Sequence, residues 1–518
     1  MRPARTLPIA LLILGLLAPT VFGASSDGAC PPGTPSKNTK GDARVSSFDS
    51  VDIAITWFRP GNVCPDHPVP VIFYVHGWSQ SRPTGFDATL NGGFKVQRIL
   101  EHGYGFVGID ARGHGESGGQ AFLQHPTTEV RDYQAVFDWV HDRLTWVQRE
   151  GSPREKDIVA GGAGASYGGG FQLMTAAFDD RLDAIVPVTT WNNLAQALAP
   201  NWVPRSVWLS LLYAGAKLSV DVDPRIDQWF AETMAMNRPP AAAVSALLEA
   251  SPATWIESID IPTLLVQGLP DTLFTLNQAV DNFRGIRENG APVWLLGVNT
   301  GHILPGLQPT GLGAVPDRLR TKDCADPVPL ALSFYDAFLK QDRDARSFLG
   351  SVPRVILPTE QGDCVTGSNW PISRKSTEVT FPALAAPETS GSYVLPLLTA
   401  EKRTVVAGIP RIRATVPAQL DDIFFVSLVV PQGDGFRIVD DQVTPIRTQL
   451  AGLRGRLDVD LAGVATTLEP GEQLLLKVDA LNEQFALNGS RRPGAVLLTD
   501  VTFSLPIVSQ LSKRVESR

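Results

Sequence analysis

The chain has 518 residues, of which 43% are apolar and 19% charged, and its net charge is −8 at neutral pH. That length suits two domains better than one, and the apolar content excludes a disordered acidic chain. With no basic tract, the composition also argues against a nucleic-acid partner.

Residues 1–23 read as a secretory signal peptide. Arg2 and Arg5 precede an apolar core over 7–17, and Val21 and Gly23 suit the −3 and −1 positions of a cleavage site. The run is too short to span a hydrocarbon layer of about 30 Å. Asp27, three residues before Cys30, spoils a lipobox. The expected mature protein is exported, extracellular or periplasmic, and makes no membrane contact after cleavage. Four cysteines in an exported chain suggest two disulfides. Of the three possible connectivities, nearest-neighbour pairing is expected: Cys30 with Cys64, and Cys324 with Cys364. None lies in a C-x-x-C pair.

Residues 30–42 read as an extended polar arm, and 45–58 alternate like an antiparallel hairpin turning at Asp49-Ser50. Residues 69–75 are nearly all apolar, as in a strand buried on both faces. A helix over 94–102, a buried strand over 104–110 and a long amphipathic helix over 128–146 follow. Next come a strand over 157–162, a helix over 169–178 and a strand over 184–188. This alternation predicts a doubly wound, mostly parallel sheet. It is interrupted over about 192–259 by helices carrying Trp202, Trp208, Trp229 and Trp255. A helical insertion there lies over the strand ends as a cap. Its tryptophans either form the cap core or line a substrate pocket. The sheet resumes at 262–268 and 293–297, and a helix over 327–339 closes it. From about residue 377 short alternating runs appear at 403–409, 412–416, 423–430, 474–478 and 495–501, with turns such as 431–435. They predict an all-β sandwich. The expected division is a catalytic domain over 24–370 and a β-domain over 371–518.

Chemistry enters at Gly164-Ala165-Ser166-Tyr167-Gly168. This is a G-x-S-x-G sequence between a strand and a helix, the context of a nucleophile elbow. Chain order then tests the partners, which run Ser, acid, His in such a sheet. Of seven histidines only His302 follows Ser166, just after the strand 293–297. The acid belongs after the preceding strand, where Asp271 stands. Asp281 reads as an exposed helix residue, and residues 189–193 contain no acid. Ser166, Asp271 and His302 are therefore the candidate catalytic residues. The oxyanion donors are expected to be the backbone N–H of Tyr167 and that of Trp78, in the loop His76-Gly77-Trp78. The loop 110–119 reads as structural, with Asp110 and Arg112 in a buried ion pair and Ser117 without an elbow. Neither a dinucleotide fingerprint, a P-loop nor metal-ligand spacing is present, so no cofactor or metal is expected. Asn488-Gly489-Ser490 is a formal glycosylation sequon.

Ser166 to Gly169, the 110–119 loop, the helical cap and the C-terminal β-module resemble the Xaa-Pro dipeptidyl-peptidase and cocaine-esterase group of α/β hydrolases. In the β-module, Ala407-Gly408-Ile409-Pro410 and Leu468-Glu469-Pro470-Gly471-Glu472 carry the likeness. The resemblance implies an α/β-hydrolase fold with a jelly-roll-like C-terminal domain. It also implies serine acyl-transfer chemistry on a small-molecule or peptide substrate. Members cleave Xaa-Pro peptides, simple esters or β-lactam acyl groups. Many use a tyrosine in the oxyanion loop, where this chain has Trp78, and peptidase members hold the substrate amine with an acid. Asp221, Asp223, Asp227 and Glu232 of the cap are candidates for that acid or a solvated face. An Xaa-Pro dipeptidyl-peptidase is the first reading, a carboxylesterase or amidase the alternative, and a non-catalytic glycan or polymer binder a remote third.

Overall fold

The computed structural model describes residues 30–516, apart from 32, 92, 151–154, 303–322, 388–390, 417–420, 487 and 491–495. The expected signal peptide lies outside the described residues. Among those described, no helix is long and apolar enough to cross a membrane.

The first part of the chain builds one ten-stranded sheet. Its elements in chain order are β1 (Thr39–Ser46), β2 (Asp52–Arg59), β3 (Val71–Val75), α1 (Val96–Glu101), β4 (Gly105–Ile109), α2 (Glu129–Arg143), β5 (Ala160–Ala165), α3 (Tyr167–Phe178) and β6 (Ala184–Val188). The cap follows, with α4 (Leu194–Leu198), α5 (Ser206–Ser219), α6 (Pro224–Met236), α7 (Ala241–Glu249) and α8 (Pro252–Trp255). Then come β7 (Thr263–Gly268), α9 (Leu276–Glu288), β8 (Val293–Val298), α10 (Pro327–Leu339), α11 (Arg343–Ser351), β9 (Val355–Pro358) and β10 (Cys364–Gly367). The strand order is β1-β2-β4-β3-β5-β6-β7-β8-β9-β10, parallel from β4 through β9 and antiparallel at both edges. Strands β3 to β8 are buried along almost their whole length because helices cover both faces. One core lies beneath α2, α3 and α9, and the other beneath α1, α10 and α11.

Three features differ from the sequence reading. The arm is shorter than expected, since pairing begins at Thr39, and the elbow strand runs to Ala165 rather than Gly162. Asp110 and Arg112 do not pair with each other. Asp110 is held by the guanidinium and backbone N–H of Arg82, whereas Arg112 bonds Asp132 and Asp49 at 2.6–2.9 Å. Sequence neighbours on a turn point apart here, and each takes a partner from another element. Ser117 bonds backbone only, donating to the carbonyl of Asp110 and accepting from the N–H of Ala54.

The remaining strands form two antiparallel sheets. One holds β11 (Ser376–Ala385), β13 (Thr404–Gly408), β14 (Arg411–Thr415), β18 (Arg456–Asp460), β19 (Val464–Leu468) and β21 (Leu497–Val508). The other holds β12 (Ser392–Thr399), β15 (Ile423–Gln432), β16 (Gly435–Ile438), β17 (Thr444–Arg447) and β20 (Gln473–Asp479). Their apolar faces enclose a third core around Phe424, Phe503 and Leu476. Both expected disulfides are present, Cys30–Cys64 and Cys324–Cys364. The Asn488 amide is buried and donates to Pro204 O, so the sequon is used internally.

The turn from β5 into α3 depends on two glycines. Gly164 has φ +144°, and a Cβ on it would stand 2.5 Å from the carbonyl oxygen of Val75. A Cβ on Gly168 would stand 1.9 Å from the same oxygen, which is backbone and cannot swing aside. We predict that Gly168→Ala pushes α3 away from β3 and lowers turnover on the order of 100-fold, with a fall in melting temperature. Turnover and a melt on the purified variant check this, and unchanged values contradict it.

Candidate active site

Ser166 is the residue between β5 and α3, at φ 56° and ψ −115°. A non-glycine residue pays strain for positive φ and keeps it only where the surroundings over-determine it. They do so here. The N–H of Ser166 donates to Val188 O, and its carbonyl accepts the amides of Gly169 and Gly170 and the hydroxyl of Thr190. The side chain is thereby lifted above the strand ends.

The structure brings Asp271 and His302 to it. His302 Nε2 lies 3.1 Å from Ser166 Oγ, and His302 Nδ1 lies 2.9 Å from Asp271 Oδ2. The carboxylate only accepts, so the proton belongs on Nδ1, and Nε2 is free to accept the serine hydroxyl. Asp271 is fully buried, and its other oxygen takes the amides of Leu273 and Phe274 at 2.8 Å each. Trp208 and Phe274 pack edge-on against the His302 ring at 5.4 and 5.3 Å. That clamp holds the imidazole plane.

Tyr167 is the first residue of α3, so its N–H has no partner within the helix. In the facing loop, the amide of Gly77 is occupied by Gln80 Oε1, which leaves Trp78 as the next donor along the chain. The indole N–H of Trp78 donates to Leu212 O in α5 at 3.0 Å. The Trp78 side chain is thus committed to the cap. His76 shapes this loop: Nδ1–H donates to Gly77 O, and Nε2 accepts the amide of Ala111.

Above Ser166 is a cavity of about 1060 Å³, counting its open mouth. Cap helices α4 to α7 form most of its wall, with Trp78, Trp191, Leu212, Trp229, Phe230 and Phe274 among its lining. Among the described residues no Asp, Glu, Lys or Arg lines it. Of the four cap acids, Asp223 caps α6 and pairs with Arg225, Asp227 bonds Lys217 and the Tyr213 hydroxyl, and Glu232 accepts from Gln228. The Asp221 side chain is exposed and does not line the cavity. The cap tryptophans divide between the two expected roles. Trp208 is fully buried and bonds Thr272 Oγ1, whereas Trp229 lines the cavity.

Residues 49–304 match the family model described as X-Pro dipeptidyl-peptidase (S15 family). Three solved structures show how far the fold extends. A CocE/NonD family hydrolase from Staphylococcus aureus superposes with TM-score 0.64 at 15% identity, covering 91% of this chain and 94% of its own. An aminopeptidase from a marine sediment Thaumarchaeota archaeon gives 0.62 at 15%, covering 94% and 100%. An alpha-amino acid ester hydrolase gives 0.60 at 14%, covering 95% and 100%. The chain has the α/β-hydrolase fold and is similar to the S15 peptidases over residues 49–304. No curated protein matches it.

Beside the site two histidines are buried, His76 in the loop 76–78 and His114 in the loop 110–119. Burial pushes the His76 imidazole down to about 4, and burial with the neighbouring His76 pushes His114 down to about 3. His114 packs against Trp78, Tyr167 and His76 at 5.0–5.4 Å, donates from Nδ1 to Arg112 O, and leaves Nε2 buried without a partner. Both rings stay neutral in the folded hydrolase. Between the ordinary value of 6.5 and about 4, the unfolded chain takes up protons that the folded chain refuses. Stability held at neutral pH is therefore lost as the pH falls through that window, by roughly 3 kcal/mol for His76 alone. Denaturant titrations at pH 7, 5.5 and 4.5 should show the decline, and His114→Phe, which keeps the ring contacts, should flatten it. An equal slope in wild type and variant would contradict this.

Proposed function

We propose that this protein is an exported serine carboxylesterase that cleaves esters carrying an apolar acyl group. The observation that carries the reading is the charge-free, aromatic and aliphatic wall above Ser166. A site that selects a free amino terminus needs a carboxylate facing it, because a buried unpaired ammonium is costly. The described cavity wall offers none, and Asp223, Asp227 and Glu232 are engaged elsewhere. An apolar wall instead gains about 25 cal/mol for each Å² of substrate surface it covers.

In this mechanism Ser166 Oγ attacks the ester carbonyl carbon as His302 Nε2 takes the hydroxyl proton. The carbonyl π pair moves onto oxygen, where the amides of Tyr167 and Trp78 stabilise it. Collapse expels the alkoxide, which receives the proton from His302 and leaves as the alcohol. Water then repeats the sequence on the acyl-enzyme, releasing the acid and restoring Ser166. Asp271 keeps the His302 tautomer and stabilises the imidazolium. The two disulfides and the N-terminal segment support export, since disulfides persist in oxidising compartments. The same reading assigns catalysis to residues 24–370 and a supporting role to the β-domain over 371–518.

The test is a rate panel on purified protein: p-nitrophenyl acetate, butyrate and octanoate, a free-amine Xaa-Pro anilide and its N-blocked form. Ester turnover should dominate and rise from acetate to butyrate. Ser166→Ala should remove it by about 10⁵-fold or more, and Asp271→Asn by about 10⁴-fold. Cleavage confined to the free-amine anilide would replace this reading with a dipeptidyl-peptidase. Rates unchanged in Ser166→Ala would remove the nucleophile assignment.

A further inference from the structure

The acid loop between β7 and α9 is held from outside its own sheet. Asp271 N reaches Gly268 O only at 3.4 Å, a weak turn contact. The carbonyls of Leu269 and Asp271 accept instead from one side chain of the β-sandwich. Gln442 Nε2 donates to Leu269 O at 2.7 Å and to Asp271 O at 3.0 Å. Both hydrogens of that amide are thus used on the loop carrying the acid. Gln442 is 4% exposed.

Gln442 is itself firmly seated. It ends a tight turn over Val439–Asp441 in which Asp440 and Asp441 both have positive φ. The turn is pinned from three sides. Gln442 N donates to Val439 O, Asp440 Oδ2 accepts the amide of Ala465 in β19, and Asp440 N donates to Glu360 Oε1 after β9. Glu360 in turn pairs with Arg437 of β16. A rigid turn therefore presents a two-hydrogen donor to the carbonyls of Leu269 and Asp271, adding to the bonds the loop already makes from Leu269 N to Val298 O and from Gln267 Nε2 to Gly268 O and Phe274 O.

We infer that Gln442 is a positioning residue for Asp271, so that the β-sandwich sets the orientation of the acid in the proposed triad. The inference rests on the proposed role of Asp271. Fixing the Asp271 carbonyl fixes the peptide plane from which its carboxylate projects. That carboxylate must meet His302 Nδ1 with one oxygen and the amides of Leu273 and Phe274 with the other. A loop free to rotate loses that alignment even while Ser166 and His302 remain in place. Gln442 touches neither substrate nor a reacting atom, so its effect runs wholly through Asp271.

The experiment compares Gln442→Met, which keeps the side-chain length without the amide, with Gln442→Asn, which withdraws the amide from both carbonyls. Gln361→Ala is the control. Gln361 Oε1 accepts from Thr467 N across the same domain boundary but away from the acid loop. Each full-length variant is assayed with p-nitrophenyl butyrate for kcat and KM, its active sites counted by phosphonate titration, and its melting temperature recorded. The downfield proton resonance of His302 Nδ1–H is followed by NMR. The expected result for Gln442→Met is a kcat reduced on the order of 10- to 100-fold with KM within about twofold, and a shifted or broadened resonance. Gln361→Ala is expected to lose melting temperature only. Should Gln442→Met fail to fold, Gln442→Asn gives the same reading. Unchanged kcat and resonance in a folded Gln442 variant, or the same losses in Gln361→Ala, would overturn the inference. If Asp271→Asn lowers kcat and the Gln442 variants do not, only the positioning role fails. If Asp271→Asn is fully active, the triad reading fails with it.

Discussion

The carbonyl of Val75, at the end of β3, is the contact on which the site depends. Gly164 and Gly168 press against its oxygen so closely that neither tolerates a Cβ. That approach forces the chain through Ser166 at positive φ and starts α3 with the Tyr167 amide unpaired. Residue 76 then begins the loop that ends in Trp78. One backbone contact therefore sets the elbow and the oxyanion loop relative to each other. Strand β3 also lies where the strand order reverses, flanked by β4 and β5, so that loops diverge there and leave a crevice.

Around that contact the buried charges beneath the oxyanion-loop candidates are paired with one another. Asp110 and Arg82 satisfy each other, as do Arg112, Asp132 and Asp49. The two histidines under the oxyanion loop are neutral. In the proposed mechanism, attraction for the developing oxyanion then comes from oriented backbone N–H groups, which act more strongly under an apolar cap than in water. Trp78 links the two: its backbone belongs to the loop and its indole to α5. The sandwich completes the enclosure. Arg447 donates to Trp202 O and Asn237 O in the cap, while Asn277 at the start of α9 exchanges hydrogen bonds with Leu461 and Gly463.

Much of this was legible along the chain. The buried strands 69–75, 184–188 and 262–268 carry unbroken apolar runs, and the elbow carries its own glycine pattern. The sequence places β5 three residues early, because AGGAGA has no apolar periodicity. Its volume is filled from outside, as by Tyr335, whose hydroxyl donates to Gly162 O at 2.6 Å. The four-residue strands β9 and β10 and helix α11 leave no clear signal in the sequence. Such short strands offer too few positions to show a pattern, and only the pairing of β9 with β8 and of β10 with β9 makes them part of the sheet. Adjacency in sequence suggests a pair between Asp110 and Arg112, yet their partners Arg82 and Asp132 lie 28 and 20 positions away from them.

What the sequence determined by itself is what neighbours along the chain can dictate: a glycine-flanked serine between strand and helix, one histidine after it, an acid between them, and cysteines whose nearest partners do bond. Tertiary structure decided the rest. It tied three of the four cap acids to neighbouring side chains, left the wall above Ser166 without a charged residue among those described, and brought Gln442 across 171 positions to the carbonyl of Asp271. Those outcomes depend on which surfaces meet when the cap and the sandwich bury their apolar faces on the sheet. No local pattern records such a meeting, because each partner reads by itself as an ordinary polar residue on a turn or a helix.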